Sequence, residues 1–501
     1  LLTLKQNIGF YFVLLAYISI NCVLYMYDNM LLSLLPAAIF MIWLLIYHPS
    51  KVIFFIAFAT PLSIKVTLKS LGLGINLPSE PFMILMMVFF WLKLFLDSGY
   101  DKAIWKHPIT IVIIFNLAWI FITACFSVMP IVSFKFFIAR FWFTTCFYFI
   151  AVILFKNYKN LKAFIWLFCA ALAISVIYTL RRHAAQLFEQ TYSTIAPQPF
   201  FMDHGVYAAV IALMLPAMLF FAVKRKEFGL SLWHQFFAVI ISFIFIVGII
   251  FSYTRAAWIG MGAGAVFFII FMLRIRFGTL LFFGAVLLGI LAFYQTQIYF
   301  KLEANKKVSE TRSGIEQHVQ SIYNISTDAS NTERINRWHS ALRMFEERPF
   351  LGWGPNTYMF KYSAFQLSNE MTIISVRSGT QGNAHSEYIG PLAEEGVLGL
   401  LSAVSLIFVA LLKAMQLIYK GKNPRIRFTA MIAILGLITY FVHGFLNDYL
   451  DQDKAAVPVF AFMAIITALD IYYQRNKNEE NDVELVNDHG RITPPTQPDI
   501  Q

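Results

Sequence analysis

Long apolar runs alternate with short polar breaks from the first residues to about Gln295, and there the pattern stops. A run of about 20 apolar residues can cross a bilayer as a helix, because its backbone polar groups find partners within the segment. Fourteen such runs are predicted, over 8–27, 30–47, 50–66, 80–97, 108–127, 133–155, 162–180, 203–223, 234–253, 256–274, 277–295, 391–415, 426–446 and 455–473. The third is the weakest, being short and containing Pro61. The expected fold is an all-α polytopic membrane protein divided into helices over 1–295, one large loop over 296–390, closing helices over 391–473, and a polar, disordered tail over 474–501.

The polar stretch between Gln295 and Glu395 has its own pattern. Ser330-Asn331-Thr332-Glu333 reads as a capping box. Ile335, Trp338, Ala341, Leu342 and Phe345 follow at helical spacing and end before Pro349. This amphipathic helix is expected on the membrane or against the bundle, with Arg334, Arg337 and Arg343 on its other face. Gly352-Trp353-Gly354-Pro355-Asn356 predicts a tight turn, and Gln366–Asn383, rich in Ser, Thr, Gly and Asn, reads as a movable gate.

Composition agrees with a membrane location. The 501 residues are 59% hydrophobic and only 13% charged, against about a quarter charged in soluble domains. The net charge of +11 does not indicate nucleic-acid binding, because the basic residues fall in short clusters between apolar runs. With fourteen spans, Lys102 and Lys106, Lys156 to Lys162, Lys224 to Lys226, Arg274 and Arg276, and Lys420 to Arg427 share one side. The positive-inside bias makes that side, with both termini, cytoplasmic. Gln295–Glu395, Arg181–Met202, Thr254-Arg255 and His443–Lys454 are then expected outside. Cys22, Cys125, Cys146 and Cys169 all lie within apolar runs and read as packing residues. No small-residue cleavage site follows the first run, so no cleavable leader is expected.

Cations on the outer face oppose the positive-inside bias. Arg255 opens a span with almost no loop before it, and such a charge either anchors at the interface or meets an anion. Arg181-Arg182-His183 ends one span, Asp203-His204 begins the next, and Arg140 lies within the sixth. His385 follows the Gly-containing segment and precedes a helix capped by Ser386, with Glu387 beside it. An imidazole at the interface can act as a general base at neutral pH. Guanidinium groups suit a diphosphate, offering paired planar donors that stay charged. Arginines plus one histidine therefore suggest an anionic lipid-linked donor and a hydroxyl acceptor. No Asp-x-Asp, His-x-x-x-His or Cys pair marks a metal site in the external loops, and no cofactor is expected.

His385-Ser386 followed by Gly396-Val397-Leu398-Gly399 resembles the signature of the O-antigen ligase and polymerase superfamily. Thr254-Arg255, Arg337-Trp338 and Pro349-Phe350-Leu351-Gly352-Trp353-Gly354 stand in the same order as in that family. The resemblance implies a metal-independent, inverting GT-C glycosyltransferase of the bacterial inner membrane, with its site facing the periplasm. It implies a polyprenyl-diphosphate-linked glycan as donor, such as undecaprenyl diphosphate carries, a lipid A-core or growing glycan as acceptor, and membrane lipids as surroundings. His385 would then be the base, Arg255 with Arg181 or Arg182 would hold the diphosphate, and Arg140 and Arg337 are further donor-binding candidates. Asp203, His204, Ser386 and Glu387 would support them. Phe200–His204 departs from the Asn-containing element many members carry, and the span count exceeds that usual for the ligases. Lipid A-core ligase, repeat-unit polymerase and protein O-oligosaccharyltransferase stay open. A flippase for lipid-linked oligosaccharides would instead show matching halves with polar midplane residues, and the sequence has none. A peptidoglycan polymerase would need an acidic loop residue, for which Glu387, Glu394 and Glu395 are available.

Overall fold

The computed structural model describes residues 2–26, 35–68, 73–96, 100–304, 329–372, 375 and 382–474. Parts of the expected gate and of the large loop, and nearly all of the expected tail, lie outside the described residues. Two compact units make up the chain, Leu1–Ile56 and Ala57–Gln501. The first contains α1 (Leu2–Met26), α2 (Leu35–Tyr47) and most of α3 (Pro49–Ala59). Every candidate site residue belongs to the second.

The fold is almost wholly helical, as expected, but the run predicted over 50–66 ends early. A 3-10 turn over Thr60–Leu62 ends the helix, and an antiparallel hairpin follows, β1 (Ile64–Leu68) with β2 (Leu73–Leu77). Ile64, Val66 and Leu68 alternate with Lys65 and Thr67, a period of two that suits a strand. A buried polar knot holds the hairpin. Ser63 Oγ and Ser79 Oγ donate to Asp453 Oδ2 at 3.0 and 2.8 Å, and Asn76 Nδ2 donates to Asp453 Oδ1 at 3.2 Å. Lys454 Nζ donates to Ser63 O at 3.1 Å.

The remaining long helices are α4 (Ser79–Leu96), α5 (Pro108–Cys125), α6 (Pro130–Leu154), α7 (Tyr158–Ala184), α8 (His204–Val223), α9 (Leu232–Ile250) and α10 (Arg255–Met272). After them come α11 (Phe277–Ala304), α12 (Ala329–Glu347), α13 (Ile389–Lys420), α14 (Pro424–His443) and α15 (Asp453–Tyr473). Among the described residues ten helices, α4 to α10 and α13 to α15, are long and apolar enough to cross a membrane. They coincide with ten of the fourteen predicted runs. The runs over 8–27 and 277–295 fall within α1 and α11 almost entirely, and those over 30–47 and 50–66 give the 13-residue α2 and the 11-residue α3. Several starts carry a side-chain cap: Asn157, Asp203, Ser231 and Asn423 accept from backbone N–H groups of the first turn. The middle of the second unit is formed by α8, α14 and α15, whose residues are mostly buried.

The connections of this unit gather in two groups. At one end Tyr473 Oη donates to Lys156 O at 2.7 Å, Arg425 Nε to Glu227 O at 3.0 Å, and Tyr419 Oη to Ile275 O at 2.9 Å. These connections carry the basic clusters. At the other end Val128 N donates to Trp353 O at 3.1 Å, Thr254 Oγ1 to His204 O at 3.1 Å, and Glu387 N to Gly444 O at 2.8 Å.

A break in α13 fixes the second group. Gly396 has φ 72° and ψ −166° inside the helix, so carbonyls before it lose their intrahelical partners. The Pro349–Gly354 segment replaces those partners: Trp353 N donates to Ala393 O at 3.2 Å and Gly354 N to Glu394 O at 2.8 Å. In return Val397 N donates to Pro349 O at 2.9 Å. A Cβ on Gly396 would collide with the Phe350 carbonyl, and one on Gly352, at φ 64°, with the Glu394 carbonyl. The two glycine motifs noted in the sequence are thus two halves of one backbone clasp. Gly396→Ala is expected to destabilise the fold by about 1–3 kcal/mol, read as a lower thermal midpoint in detergent; an unchanged midpoint would show that the clasp bears no strain at this position.

Candidate functional site

The helix α12 presents its polar face, not its apolar one, to the rest of the fold. Glu333, Asn336, Arg337, Ser340, Ala341 and Met344 are buried, whereas Ile335 and Leu342 are exposed. The expected capping box does not form as such, because the helix already begins at Ala329 and Glu333 is engaged elsewhere. Its carboxylate receives Arg337 Nε at 2.9 Å, Thr372 Oγ1 at 2.8 Å and Ser375 Oγ. Burial pulls this carboxyl upward, but the bonds from Ser375, Arg337 and Thr372 outweigh it and hold Glu333 below the ordinary range.

Arg337 carries that pair to the histidine segment. Its Nη1 donates to Asn383 O at 3.0 Å, and Tyr358 Oη donates to Arg337 O at 2.8 Å. Asn383 Oδ1 then accepts from His385 N at 3.1 Å, while His385 adopts φ 50°, which few residues with a Cβ tolerate. Outside a turn held from both sides that backbone would relax. After it, Ser386 Oγ accepts from Tyr388 N at 3.3 Å and Ile389 N at 3.4 Å, meeting the start of α13. Glu387 Oε1 accepts from Tyr440 Oη at 2.6 Å and from Tyr449 N and Leu450 N at 2.8 Å each. Both flanks of His385 are therefore pinned, one to α12 and the other to the α14–α15 connection.

The His385 ring is half-buried, and its pKa falls from the usual value to about 3. Burial is the main cause, followed by the positive charges of Arg337 and Arg334, with Glu333 opposing. The imidazole is neutral at any physiological pH, ready to accept a proton but weakly basic while those charges stand uncompensated.

Arg334 ties His385 to the other outer residues. Its Nε donates to Leu446 O at 3.1 Å, in the connection that also carries Tyr449. Tyr449 Oη donates to Asp203 Oδ1 at 3.4 Å, and Asp203 caps α8 through Gly205 N at 2.6 Å and Val206 N at 3.1 Å. Thr254, immediately before Arg255, donates to the His204 carbonyl. So Arg255, half-buried at the first position of α10, stands beside the Asp203–His204 start. Arg182 points its donors inward instead: Nη1 reaches Ala196 O at 3.2 Å and Gln198 O, and Nη2 reaches Tyr192 Oη at 3.1 Å. It holds the 190–199 connection in shape, while Arg181 is exposed. Arg140 lines a separate cavity with Glu387, Glu394 and Glu395.

Sequence reasoning passed over Arg334 as one cation of a helix face, and over Asp448, Tyr449 and Asp451 as part of an acidic turn. Their signal was present in that turn, where acidic and aromatic residues collect between two apolar runs on the outer side. Among the described residues no group of three or more His, Cys, Asp or Glu could hold a metal ion.

Residues 240–404 match the family described as O-Antigen ligase. No curated protein matches the chain. The matched stretch contains Arg255, α12, the Pro349–Gly354 segment, His385 and Gly396, which are the parts that build the clasp and the histidine turn. This match, over about a third of the chain, supports the resemblance to the O-antigen ligase and polymerase superfamily carried by the motifs.

Proposed function

We propose that the chain is an inner-membrane glycosyltransferase that moves a glycan from a polyprenyl-diphosphate carrier to a hydroxyl acceptor on the periplasmic face. The observation that carries this reading is the His385 turn, a neutral imidazole pinned on both sides and facing the cations of α12. The match of residues 240–404 to the O-antigen ligase family supports a glycosyltransferase acting on lipid-linked glycans. The segregation of basic connections to one end of the second unit supports the periplasmic assignment of the other end.

In this mechanism the acceptor hydroxyl loses its proton to His385 as its oxygen bonds the anomeric carbon. The bond from that carbon to the diphosphate breaks, and polyprenyl diphosphate leaves from the opposite face, with inversion. Negative charge grows on the leaving oxygen, so cations placed there stabilise the transition state more than the ground state. Arg255 and Arg334 are the arginines best placed for this. Arg337 acts through its pair with Glu333, as the strut that positions Asn383 and hence His385. After burial, Arg337 and Arg334 make His385 a poor base in the free protein. A bound diphosphate offsets their charge, lifting the imidazole toward a pKa useful for proton transfer when the donor is in place.

Three measurements test the reading. His385→Ala should lower transfer by about 10²–10⁴-fold with donor binding retained, and Arg255→Ala should weaken the donor step with poor rescue by Lys. Near-normal turnover of the purified His385→Ala protein would end the case for the base. In a sample with ¹⁵N-labelled histidine, the signal lost in His385→Gln should titrate far below the usual histidine range and move up when donor is added. A His385 signal that titrates normally, or ignores the donor, would sever the link between the arginines and the imidazole. For orientation, a cysteine replacing the exposed Glu347 in a cysteine-free background should react with an impermeant maleimide in intact spheroplasts; labelling only after lysis would reverse the assignment.

A further inference from the structure

One cavity of the second unit, lined in part by the residues that hold the His385 turn, is given no substrate in the mechanism above. Its volume is about 90 Å³, room for several water-sized groups or for one hydroxyl-bearing edge of a sugar. Its walls come from α5, α6, α13, α14 and α15, closed above by the Asn356–Met359 and Asp448–Asp451 segments. Five carboxylates line it, Glu387, Glu394, Glu395, Asp448 and Asp451, with Arg140 as the cation of the lining.

These carboxylates are not equivalent. Glu394 accepts from Asn356 N and Tyr358 N at 2.8 Å each, and Glu387 holds the α14–α15 connection through one oxygen. Glu395 is only 3% exposed, yet among the described residues its carboxyl makes no hydrogen bond or ion pair; only its backbone carbonyl is engaged, by Trp119 Nε1 at 2.9 Å. The Asp448 carboxyl, half-buried, also has no donor among the described residues, its backbone carbonyl taking Asn383 Nδ2 at 3.1 Å. The Arg140 guanidinium lies over the Phe136 ring at 5.2 Å and makes no hydrogen bond or ion pair among the described residues. A buried carboxyl without a donor is costly, and a ligand rich in hydroxyl or ammonium donors removes that cost. A diphosphate would add repulsion, so the donor's head group does not belong here.

We propose that this cavity is the acceptor subsite, and that it takes the terminal sugar of an uncharged or amine-bearing glycan, whose hydroxyls donate to Glu395 and Asp448. Calling it an acceptor subsite rests on the transfer reading above; the binding itself does not. Asn383, Ala384 and Glu387, which flank His385 in the chain, all line the cavity, so a sugar seated there lies beside the imidazole's own turn. The two substrates are thereby sorted by charge: the anionic carrier goes to the arginines of α10 and α12, the polyol to the carboxylates.

The test uses the full chain in nanodiscs, without donor, titrated with three tetrasaccharides: neutral cellotetraose, amine-bearing chitosan tetramer, and anionic tetragalacturonate. Cellotetraose and the chitosan tetramer should bind, and tetragalacturonate should bind at least about tenfold more weakly. Glu395→Gln and Asp448→Asn keep shape and replace the carboxyl by an amide; each should weaken cellotetraose by about tenfold or more and leave the thermal midpoint in place. In a transfer assay the same two variants should raise the acceptor KM and leave the donor KM unchanged. Equal binding of all three sugars, or variants that bind like the parent, would overturn the subsite even if transfer is observed. Sugar binding with the expected order but no transfer would sink the transferase reading and leave the cavity's selectivity standing.

Discussion

The His385 end of this protein depends on one interruption of a helix. Where α13 breaks at Gly396, carbonyls of the preceding turn must find donors, and the Pro349–Gly354 segment supplies them from its own backbone. An unpaired carbonyl in that position would be expensive in a bundle with little water. The exchange sets where the large loop re-enters the bundle, and so where α12 and the His385 turn face each other. Side chains refine that arrangement, but backbone hydrogen bonds impose it.

Charge then divides the space the clasp encloses. Arg334 and Arg337 of α12 lower the His385 pKa, while Glu395 and Asp448 look into a cavity with a single guanidinium. Asp448 itself stands well above the ordinary carboxylate range, chiefly through burial and then through the neighbouring charges of Glu387, Asp451 and Glu394. The Glu333–Arg337 bridge and the Glu387 anchor fix the two sets of groups in place.

The hydrophobic pattern made much of this fold legible, because a membrane helix is written in consecutive residues. Ten runs became helices of spanning length at the expected places, and His385 and Gly396 were recognisable from local sequence. What escaped was long-range. Pro61 hinted that the third run was weak, but only Asp453, far along the chain, explains why Ser63 and Ser79 hold a hairpin there. Helical spacing correctly separated the two faces of α12, yet it could not tell that the polar face would turn inward, since the partners of Glu333 and Asn336 lie 30 to 42 residues away. Arg182 looked like a ligand for an anion because its sequence neighbours do not reveal the carbonyls of 196 and 198 that it binds.

The Glu387 anchor has a mechanical consequence. A single carboxylate oxygen, two residues beyond His385, takes three donors from the end of α14 and the turn that follows it. Those helices belong to the most deeply packed part of the bundle, so the imidazole can shift only if the interior shifts with it. The histidine is in effect bolted to the frame, and in the proposed transfer the distance between imidazole and acceptor would be closed by the arriving substrate rather than by the protein reaching toward it.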